Sequence, residues 1–295
     1  MPTLAERLAA PGTVILADGA MGTNLFALGL APGTAPETWL DERPDAIAAL
    51  HRSFVAAGSE VILTCSFGGN PPRLALWGAE GRAFALNRRA AELARAAADA
   101  SLRPVLVAGS VGPTWQTGEA AEDAMAAIFF EQIAGLKQGG IDFVWLETMV
   151  SAAETRAAAM AAIAAGLSYV ATASFDHRGL TPAGLAPAGF AAAFDGLARP
   201  PLAIGANCGD GPASALAIAG ALPRPAGAAL ALKPNCGLPA PGPDGARHAI
   251  GPADLAAFAA AARAAGATLV GGCCGTTPGH VRAMREALDR RVACN

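Results

Sequence analysis

The chain has 295 residues, of which 53% are hydrophobic and 15% charged, and its formal net charge is -3. This balance is typical of a globular protein with a sizeable core, and it excludes a disordered chain. No basic stripe interleaves with aromatic residues, so we expect no nucleic-acid partner.

The N-terminal segment gives no sign of export. MPTLAERLAA carries Glu6 and Arg7 and lacks an apolar core, so no secretory signal is predicted. The longest charge-free run, residues 157–175, has the length of a membrane span, but Gly166 favours a helix end followed by a strand. We therefore expect a cytoplasmic protein without membrane association. Thiols stay reduced there, so the six cysteines are interpreted as packing residues or metal ligands.

Short apolar runs alternate with helix-like stretches along the chain. Eight strands are predicted, over 13–19, 60–67, 104–112, 143–149, 169–175, 202–209, 229–237 and 268–275. Helices are predicted over 45–57, 83–100, 121–138, 151–165, 253–265 and 278–289. Strands that are apolar on both faces and alternate with helices indicate a parallel sheet covered by helices.

Eight such units predict an α/β fold, a single (β/α)8 TIM barrel over residues 1–295 with its active site at the C-terminal ends of the strands. An open doubly wound sheet is the alternative. No GxGxxG motif follows the first strand, so nothing favours dinucleotide binding. Residues 236–252 form the longest predicted loop, which could cover the barrel mouth.

The predicted strand ends concentrate carboxylates and thiols where a barrel would open. These residues are Asp18, Thr64, Cys65, Glu147, Thr148, Asn207, Cys208, Asn235, Cys236, Cys273 and Cys274. Glu147 follows a buried apolar strand, and an unpaired buried carboxylate is costly, so a cationic partner is expected. Asp18 precedes Gly19 and has the alternative of an ordinary turn residue.

Three cysteines at these ends suit a metal. Cys208 ends strand six and the pair Cys273–Cys274 ends strand eight, so they can face each other across the mouth. Adjacent side chains on a regular strand point to opposite faces, but the glycines at 271, 272 and 275 allow the pleat to break. Three thiolates with one open position are typical of a catalytic zinc site.

The remaining cysteines have simpler interpretations. Cys65 and Cys294 are interpreted as buried packing residues. Cys236 has two interpretations. Strand seven lies between strands six and eight, so Cys236 could reach the metal site, but the sequence PNCG is also typical of a tight turn. The four histidines lie in predicted helices, loops or a helix start, where His280 is expected to cap.

The sequence resembles the homocysteine S-methyltransferase family over nearly its whole length. The matching motifs are ADGAMGTNL (17–25), PETW before LHRSFVAAGSEVILTCSFGGN (50–70), AGSVGPT (108–114), LETM (146–149), GANCG (205–209), KPNCGLP (233–239) and GGCCGTTPGH (271–280). The resemblance implies a (β/α)8 barrel with one zinc ion held by Cys208, Cys273 and Cys274. It implies that Asp18 and Glu147 hold the amino acid, and we also expect Asn207, Ala20 and Met21 to contact the substrate.

The implied activity is zinc-dependent transfer of a methyl group to the thiolate of L-homocysteine, giving methionine. Zinc would deprotonate the thiol, whose ordinary pKa is about 8.5, and keep its sulfur nucleophilic. One barrel accounts for the chain, so we expect a small cationic donor of the betaine or methylsulfonium type that reacts directly. Trp115 and Phe67 are the candidate donor contacts, with Trp39 as a further aromatic surface.

Two alternatives remain. The chain could be the homocysteine-binding subunit of a split cobalamin-dependent methionine synthase that receives its methyl group from a separate corrinoid protein. An exposed apolar rim around the mouth would favour that interpretation. It could also be a non-catalytic zinc barrel. The animal enzymes that use betaine carry a tyrosine where Gly68 follows Phe67 here, and Tyr169 is the chain's single tyrosine.

Overall fold

A computed structural model describes residues 1–116, 121–242 and 245–290 of the chain. Its strands are β1 Ile15–Leu16, β2 Val61–Leu63, β3 Leu106–Val111, β4 Phe143–Met149, β5 Tyr169–Ala173, β6 Ala203–Cys208, β7 Ala229–Pro234, β8 Ala240–Gly242, β9 Gly245–Arg247 and β10 Ala267–Val270. Eight of them form one parallel sheet in the order β1-β10-β7-β6-β5-β4-β3-β2.

The two edges of this sheet meet, so the sheet is a nearly closed barrel. A parallel bridge joins Ala17 to Val61, and the Glu60 amide donates to the Leu16 carbonyl at 2.7 Å. The predicted (β/α)8 barrel is thereby confirmed, and the open doubly wound sheet is excluded.

Helices alternate with the strands. They are α1 Leu4–Ala9, α2 Gly22–Ala27, α3 Trp39–Glu42, α4 Pro44–Ala57, α5 Pro71–Leu74, α6 Ala83–Asp99, α7 Glu122–Gln138, α8 Ala152–Ala164, α9 Pro187–Ala192, α10 Pro212–Ala221, α11 Pro252–Ala264 and α12 Pro278–Asp289. The six predicted helices match α4, α6, α7, α8, α11 and α12 to within one residue at each end.

Local sequence explains where these helices begin and end. The Ser151 side chain accepts a hydrogen bond from the Glu154 amide at 3.2 Å and so caps α8. Helix α4 begins with Pro44 and stops at Gly58, whose φ of 113° is readily reached only by glycine. At the start of α12 the ring of His280 accepts from the Thr277 amide at 3.2 Å, which confirms the predicted cap.

The core has two parts, one outside the sheet and one inside the barrel. The outer part packs the strands against the helices. The lower interior, toward the N-terminal ends of the strands, is an apolar cluster of Leu4, Ile15, Ala17, Val61, Leu63, Leu106, Ala108, Phe143, Trp145, Val170, Ala203, Ala231 and Leu269. Leu4 comes from α1, so this short helix belongs to the same cluster.

The inward-facing side chains change from apolar to polar toward the C-terminal ends of the strands. Residues two apart on a strand face the same side. On β3, β4 and β7 the next inward positions above the lower interior are therefore Ser110, Glu147 and Lys233. On β6 and after β10 the next positions are glycines, Gly205 and Gly271, and Asn207 and Cys273 follow them two residues later. We call Ser110, Glu147, Asn207, Lys233 and Cys273 the upper interior. The strands thus place polar side chains directly above the apolar side chains of the lower interior.

Several predicted strands are longer than the observed ones. Strand β1 covers Ile15–Leu16 rather than 13–19, and β2 covers Val61–Leu63 rather than 60–67. The predicted ends contain the functional residues, and there the chain bends out of the sheet toward the mouth. The predicted loop 236–252 instead contains the antiparallel hairpin β8–β9.

The charge-free run 157–175 divides as predicted. Helix α8 ends at Ala164, Gly166 has a φ of 75°, and β5 begins at Tyr169. Among the described residues, no helix combines the length and apolar character that a membrane crossing requires. Cys294, interpreted as a packing residue, lies outside the described residues.

Candidate active site

Three thiols meet at the C-terminal mouth of the barrel. Cys208 is the last residue of β6, and Cys273 and Cys274 follow β10. Their Sγ atoms all lie within 4.8 Å of one another, and each residue is partly exposed. The structure therefore brings together the three cysteines that the sequence predicted as metal ligands.

The backbone at this cluster leaves regular strand geometry. Cys208 has a φ of 59°, in the left-handed region that non-glycine residues seldom occupy. The Cys273 amide still donates to the Pro234 carbonyl at 2.8 Å, and the Cys274 carbonyl accepts from the Cys236 amide at 2.9 Å. Both neighbouring cysteines are thus held against the end of β7 while their side chains turn to Cys208.

Glycine is required beside the pair because the chain turns tightly there. A Cβ atom at Gly272 would lie 2.2 Å from the Thr276 hydroxyl oxygen, and Gly275 has a φ of 80°. The interpretation that flanking glycines let both thiols face the mouth agrees with this geometry.

The three thiols share protons unequally. Hydrogen bonds from Cys208 and Cys274 hold the pKa of Cys273 well below its ordinary value, and the nearby Lys233 acts in the same direction. The hydrogen bond to Cys273 in turn raises the pKa of Cys208. Three thiolates this close repel one another, so full ionisation of the cluster calls for a bound cation.

The donor set fits a soft divalent metal. Three thiolate sulfurs suit zinc and do not suit magnesium or calcium, which prefer oxygen. Cys236 lies outside this group: it is buried, and its sulfur contacts the Thr276 hydroxyl at 3.4 Å. Cys65 is also buried, in agreement with a packing role.

Asn207 braces the site from the neighbouring inward position. Its side-chain carbonyl accepts from the Thr148 amide at 2.7 Å, and its amide group donates to the Thr148 hydroxyl at 2.7 Å. The same amide group lies 3.7 Å from the Cys273 sulfur. Thr148 has a φ of 59°, so this bracing holds a strained backbone at the end of β4.

Asn235, which the sequence placed at a strand end without a role, ties two of the cysteine segments together. Its side-chain carbonyl accepts from the Cys274 amide at 2.9 Å, and its amide group donates to the Gly209 carbonyl at 2.9 Å. The side chain thus links the residue after Cys208 to the cysteine pair. Such partners orient metal ligands from outside the coordination sphere.

Glu147 is a buried carboxylate that keeps part of its binding capacity. It is 9% exposed, and within the described part of the chain the Ser110 hydroxyl is the one side-chain donor to it. Burial raises the pKa of Glu147 to about 7, and the nearby charge of Lys233 opposes that rise. The group is therefore poised to gain a cationic partner.

Asp18 differs from Glu147 because both of its oxygens are engaged. It is 1% exposed, and its Oδ2 accepts from the Leu63 amide at 2.8 Å. Its Oδ1 accepts from the Lys233 Nζ at 3.1 Å. Asp18 thus lies in the same buried group of charges as Glu147, with a protein cation already paired to it.

Lys233 was missed by the sequence reasoning. It is 2% exposed, and burial lowers its pKa while the charges of Asp18 and Glu147 outweigh burial and raise it. The signal was present, because Ala229, Ala231 and Lys233 alternate along β7 and a lysine at an inward position is unusual.

The other predicted substrate contacts are close to the mouth but partly engaged. The Ala20 amide donates to the Thr276 carbonyl at 3.1 Å, so this amide is already satisfied. Met21 is partly buried and packs against the outer core. His248, which the sequence placed in a loop, lies with its ring against Gly275, next to Cys274.

The predicted donor contacts lie in different surroundings. Trp115 is 43% exposed with a φ of 58° and follows β3 at the mouth. The Phe67 ring is partly exposed and packs against Gly112. Trp39 is buried, and the guanidinium of Arg43 lies 4.3 Å from its ring centroid, so its face is already taken by a cation.

Apolar side chains are exposed on several segments that follow barrel strands. They are Phe26, Leu28, Leu76, Trp77, Trp115 and Leu238. We call this set the apolar rim. They lie on four separate segments, and such residues mark a binding surface only where they form a contiguous patch.

The chain matches the family model of homocysteine S-methyltransferases over residues 15–288. It is 31% identical over 294 residues to a methionine synthase of Mycobacterium tuberculosis and 31% identical over 314 residues to one of Mycobacterium leprae. These matches cover 93% and 100% of this chain but 24% and 25% of those proteins, so the chain spans about a quarter of their length.

A solved structure of similar size shares the fold. The metallated form of the homocysteine methyltransferase MmuM from Escherichia coli superposes with a TM-score of 0.76 at 27% identity, covering 92% of this chain and 96% of that one. Its oxidised form gives 0.75 at 28% identity, covering 92% and 95%.

These matches and the fold define the class of the protein, a (β/α)8 barrel of the methyltransferase type. The chain belongs to the homocysteine S-methyltransferase family.

Proposed function

We propose that the protein transfers a methyl group from a small cationic donor to the thiol of L-homocysteine, giving methionine, with one zinc ion at the barrel mouth. The observation that carries the proposal is the cluster of Cys208, Cys273 and Cys274, whose sulfurs lie within 4.8 Å of one another. The family match and the metallated MmuM structure support it.

The three cysteines would hold the zinc ion. When bound, zinc would lower the pKa of a substrate thiol beside the cluster and keep its sulfur nucleophilic at neutral pH. Asn207 and Asn235 would hold the ligands in place through the hydrogen bonds already described. Because the thiols must stay reduced to bind metal, a cytoplasmic location is part of the proposal.

The polar end of the barrel would hold the amino-acid part of the substrate. Glu147 retains an acceptor oxygen and would receive the ammonium group. Asp18 belongs to the same buried charge group, and Ala20 and Met21 border it along the chain. Fixing the ammonium would hold the thiol beside the cysteines and align it with the donor methyl.

A cationic donor suits this mouth. A betaine or methylsulfonium carries a methyl carbon that is already polarised for displacement, and an anionic sulfur cluster attracts it. The half-exposed ring of Trp115 offers a face for the cationic head, with the Phe67 ring on the adjacent loop. The cationic charge of such a donor disappears on transfer, which weakens product binding.

A second candidate is favoured by the apolar rim. Exposed apolar residues around the mouth would suit docking of a separate corrinoid protein that delivers the methyl group. The two mycobacterial relatives are named methionine synthases and are about four times as long as this chain, so in them the matching segment is accompanied by further protein.

One experiment separates the two candidates. Purified zinc-loaded protein is incubated with L-homocysteine and, in parallel, with glycine betaine, S-methylmethionine, methylcobalamin or a methylated corrinoid protein, and methionine is measured. Methionine from a betaine or sulfonium supports direct transfer. Methionine only from the corrinoid donors supports the second candidate, and none from any donor would overturn both.

A further inference from the structure

The two carboxylates of the upper barrel have unequal freedom. Asp18 is bonded through both oxygens, to the Leu63 amide and to Lys233. Glu147 receives a side-chain hydrogen bond from Ser110 alone among the described residues, and it is more exposed, at 9% against 1%. A ligand that enters from the mouth therefore meets Glu147 with a free acceptor oxygen, whereas each Asp18 oxygen already has a protein donor and the carboxylate is paired with a lysine.

Lys233 is fixed in place by its surroundings. Its Nζ lies 3.1 Å from Asp18 Oδ1 and 5.0 Å from the ring centroid of Trp145. That ring is oriented by its own hydrogen bond, from the indole nitrogen to the Thr172 hydroxyl at 3.1 Å. Ion pair and cation–π contact together hold the ammonium against Asp18.

The stem of Lys233 passes over a glycine. A Cβ atom at Gly271 would lie 3.1 Å from Lys233 Cγ and 3.0 Å from the Cβ of Ala17. The absence of a side chain at 271 therefore leaves room for the lysine to cross from β7 toward Asp18. The lysine is built into the wall and does not enter from the mouth.

The net charge of Asp18, Glu147 and Lys233 indicates what kind of ligand this group binds. When Asp18 and Glu147 are both ionised, their two negative charges exceed the single positive charge of Lys233 by one. Buried charges without partners are strongly unfavourable, so the group accepts one further cation. The ammonium group of an amino acid supplies that charge.

We infer that Lys233 is a positioning residue that neutralises Asp18 and leaves Glu147 as the carboxylate that receives the substrate ammonium. The inference rests on the proposed function, since it concerns how the amino-acid thiol is recognised. It assigns Asp18 an indirect role, to hold the lysine away from Glu147. Without Asp18, Lys233 would turn to Glu147 and compete with the substrate.

The test uses variants that keep side-chain shape. Asp18→Asn retains an acceptor for the Leu63 amide, and Lys233→Met retains most of the stem over Gly271. Both are made singly and together in the zinc-loaded full chain. Binding of L-homocysteine and of 4-mercaptobutanoate, which lacks the ammonium, is measured by calorimetry, with Glu147→Gln as the reference for loss of the ammonium contact.

The expected pattern is a rescue. Glu147→Gln weakens homocysteine binding by about thirty-fold or more, as expected for loss of a buried charge partner. Asp18→Asn weakens it by about ten-fold or more, because Lys233 then pairs with Glu147. The double variant Asp18→Asn/Lys233→Met returns to within about three-fold of wild type. The dissociation constant for 4-mercaptobutanoate changes by less than about three-fold throughout.

Other outcomes overturn the inference. A double variant that binds homocysteine no better than Asp18→Asn would show that Asp18 contacts the ammonium directly. The double variant decides the matter even if a single variant fails to fold, since a buried ion pair is often replaced by neutral groups without loss of stability. If the double variant itself fails to fold, the pair is structural and the positioning role is wrong.

Failure of the proposed function is recognised separately. A wild-type protein that binds neither thiol would overturn the function before any variant is compared. Wild-type binding of homocysteine without rescue in the double variant would leave the function standing and remove only the role of Lys233.

Discussion

The lower and upper halves of the barrel interior are built from the same strands but differ in the chemistry of their side chains. On β4 the inward residues rise from Phe143 and Trp145 to Glu147. On β7 they rise from Ala231 to Lys233, and on β10 and the segment after it from Leu269 to Cys273. The lower positions are apolar and closely packed, whereas the upper ones carry charge, hydrogen bonds and thiols.

The backbone shows the same division. The three described non-glycine residues with positive φ, Trp115, Thr148 and Cys208, all follow or end a strand at the upper end. Strained conformations persist only where the surrounding structure enforces them, and here Asn207 and the lower packing do so. The comparison teaches that the lower half supplies stability and the upper half uses part of it for chemistry.

The largest expected effect follows from removing a thiol at the upper end. Changing Cys208, Cys273 or Cys274 to serine should take zinc from one ion per chain to nearly none, measured by plasma emission. Methyl transfer should then fall at least about thirty-fold, because a free thiol of pKa about 8.5 is only about 3% thiolate at pH 7.

The matched control is Cys236→Ser, since Cys236 is buried one strand away and lies outside the sulfur cluster. It should keep its zinc, and all four variants should retain the wild-type circular dichroism spectrum because the lower half is untouched. Full zinc occupancy in the three cluster variants would contradict the metal assignment.

Changing Phe143 to alanine tests whether the lower half of the barrel contributes to stability alone. Removing this buried ring should lower the free energy of unfolding by about 3–5 kcal/mol, measured by urea titration. The dissociation constant of homocysteine for the folded protein should change by less than about two-fold. A large loss of affinity would show that the lower half also shapes the site.

Removing a charge from the upper half should instead reduce the affinity for homocysteine. Glu147→Gln should weaken homocysteine binding by about 2–5 kcal/mol, because the ammonium loses its buried partner. An unchanged affinity for homocysteine would remove Glu147 from substrate recognition.

The same variant should improve stability at high pH. Burial raises the pKa of Glu147 to about 7 from an ordinary value of 4.5, so the folded state holds this proton after the unfolded state has released it. Stability therefore falls as pH rises from about 4.5 to 7, by about 3 kcal/mol for this group. Urea unfolding of the metal-free wild type and Glu147→Gln at pH 5 and pH 8 should show that difference; parallel losses in both proteins would count against it.

The smallest effect is expected at the rim. Trp115→Ala should raise the KM for a cationic donor about 2- to 30-fold, the range for loss of a cation–π contact, and should change the KM for homocysteine by less than about two-fold. Trp77→Ala is the control, because Trp77 is equally exposed, at 44% against 43%, on a different segment. Equal effects of the two changes would argue against a donor contact at Trp115.

The sequence was sufficient for the barrel and for most of the mouth. Alternating apolar runs and helices predict the eight strands, and strand-end residues predict the cysteine cluster and Glu147. The strands were predicted too long because the residues after β1, β2 and β10 continue the composition of a strand while the chain already bends away. Periodicity does not report the residue at which hydrogen bonding to a neighbouring strand stops.

Other features depend on contacts between distant segments. The hairpin β8–β9 was read as loop because Pro and Gly dominate that stretch. Lys233 is not identified by the residues at the strand ends, because it lies at an inward position before the end of β7. The separation of Cys236 from the cluster follows from the turn of the backbone after Pro234, which residue types alone do not specify.

Barrel closure also sets an order of events during synthesis. Strand β10 pairs with β1 on one side and β7 on the other, and the cysteine pair follows it directly. Asn207 and its partner Cys273 are 66 residues apart, a stretch that a ribosome needs roughly 3 to 13 s to make. A nascent chain that has reached Cys208 therefore offers a metal only one of the three sulfurs. All three sulfurs are present only after the last barrel strand has emerged, so the strand that closes the ring also brings the residues that complete the binding site.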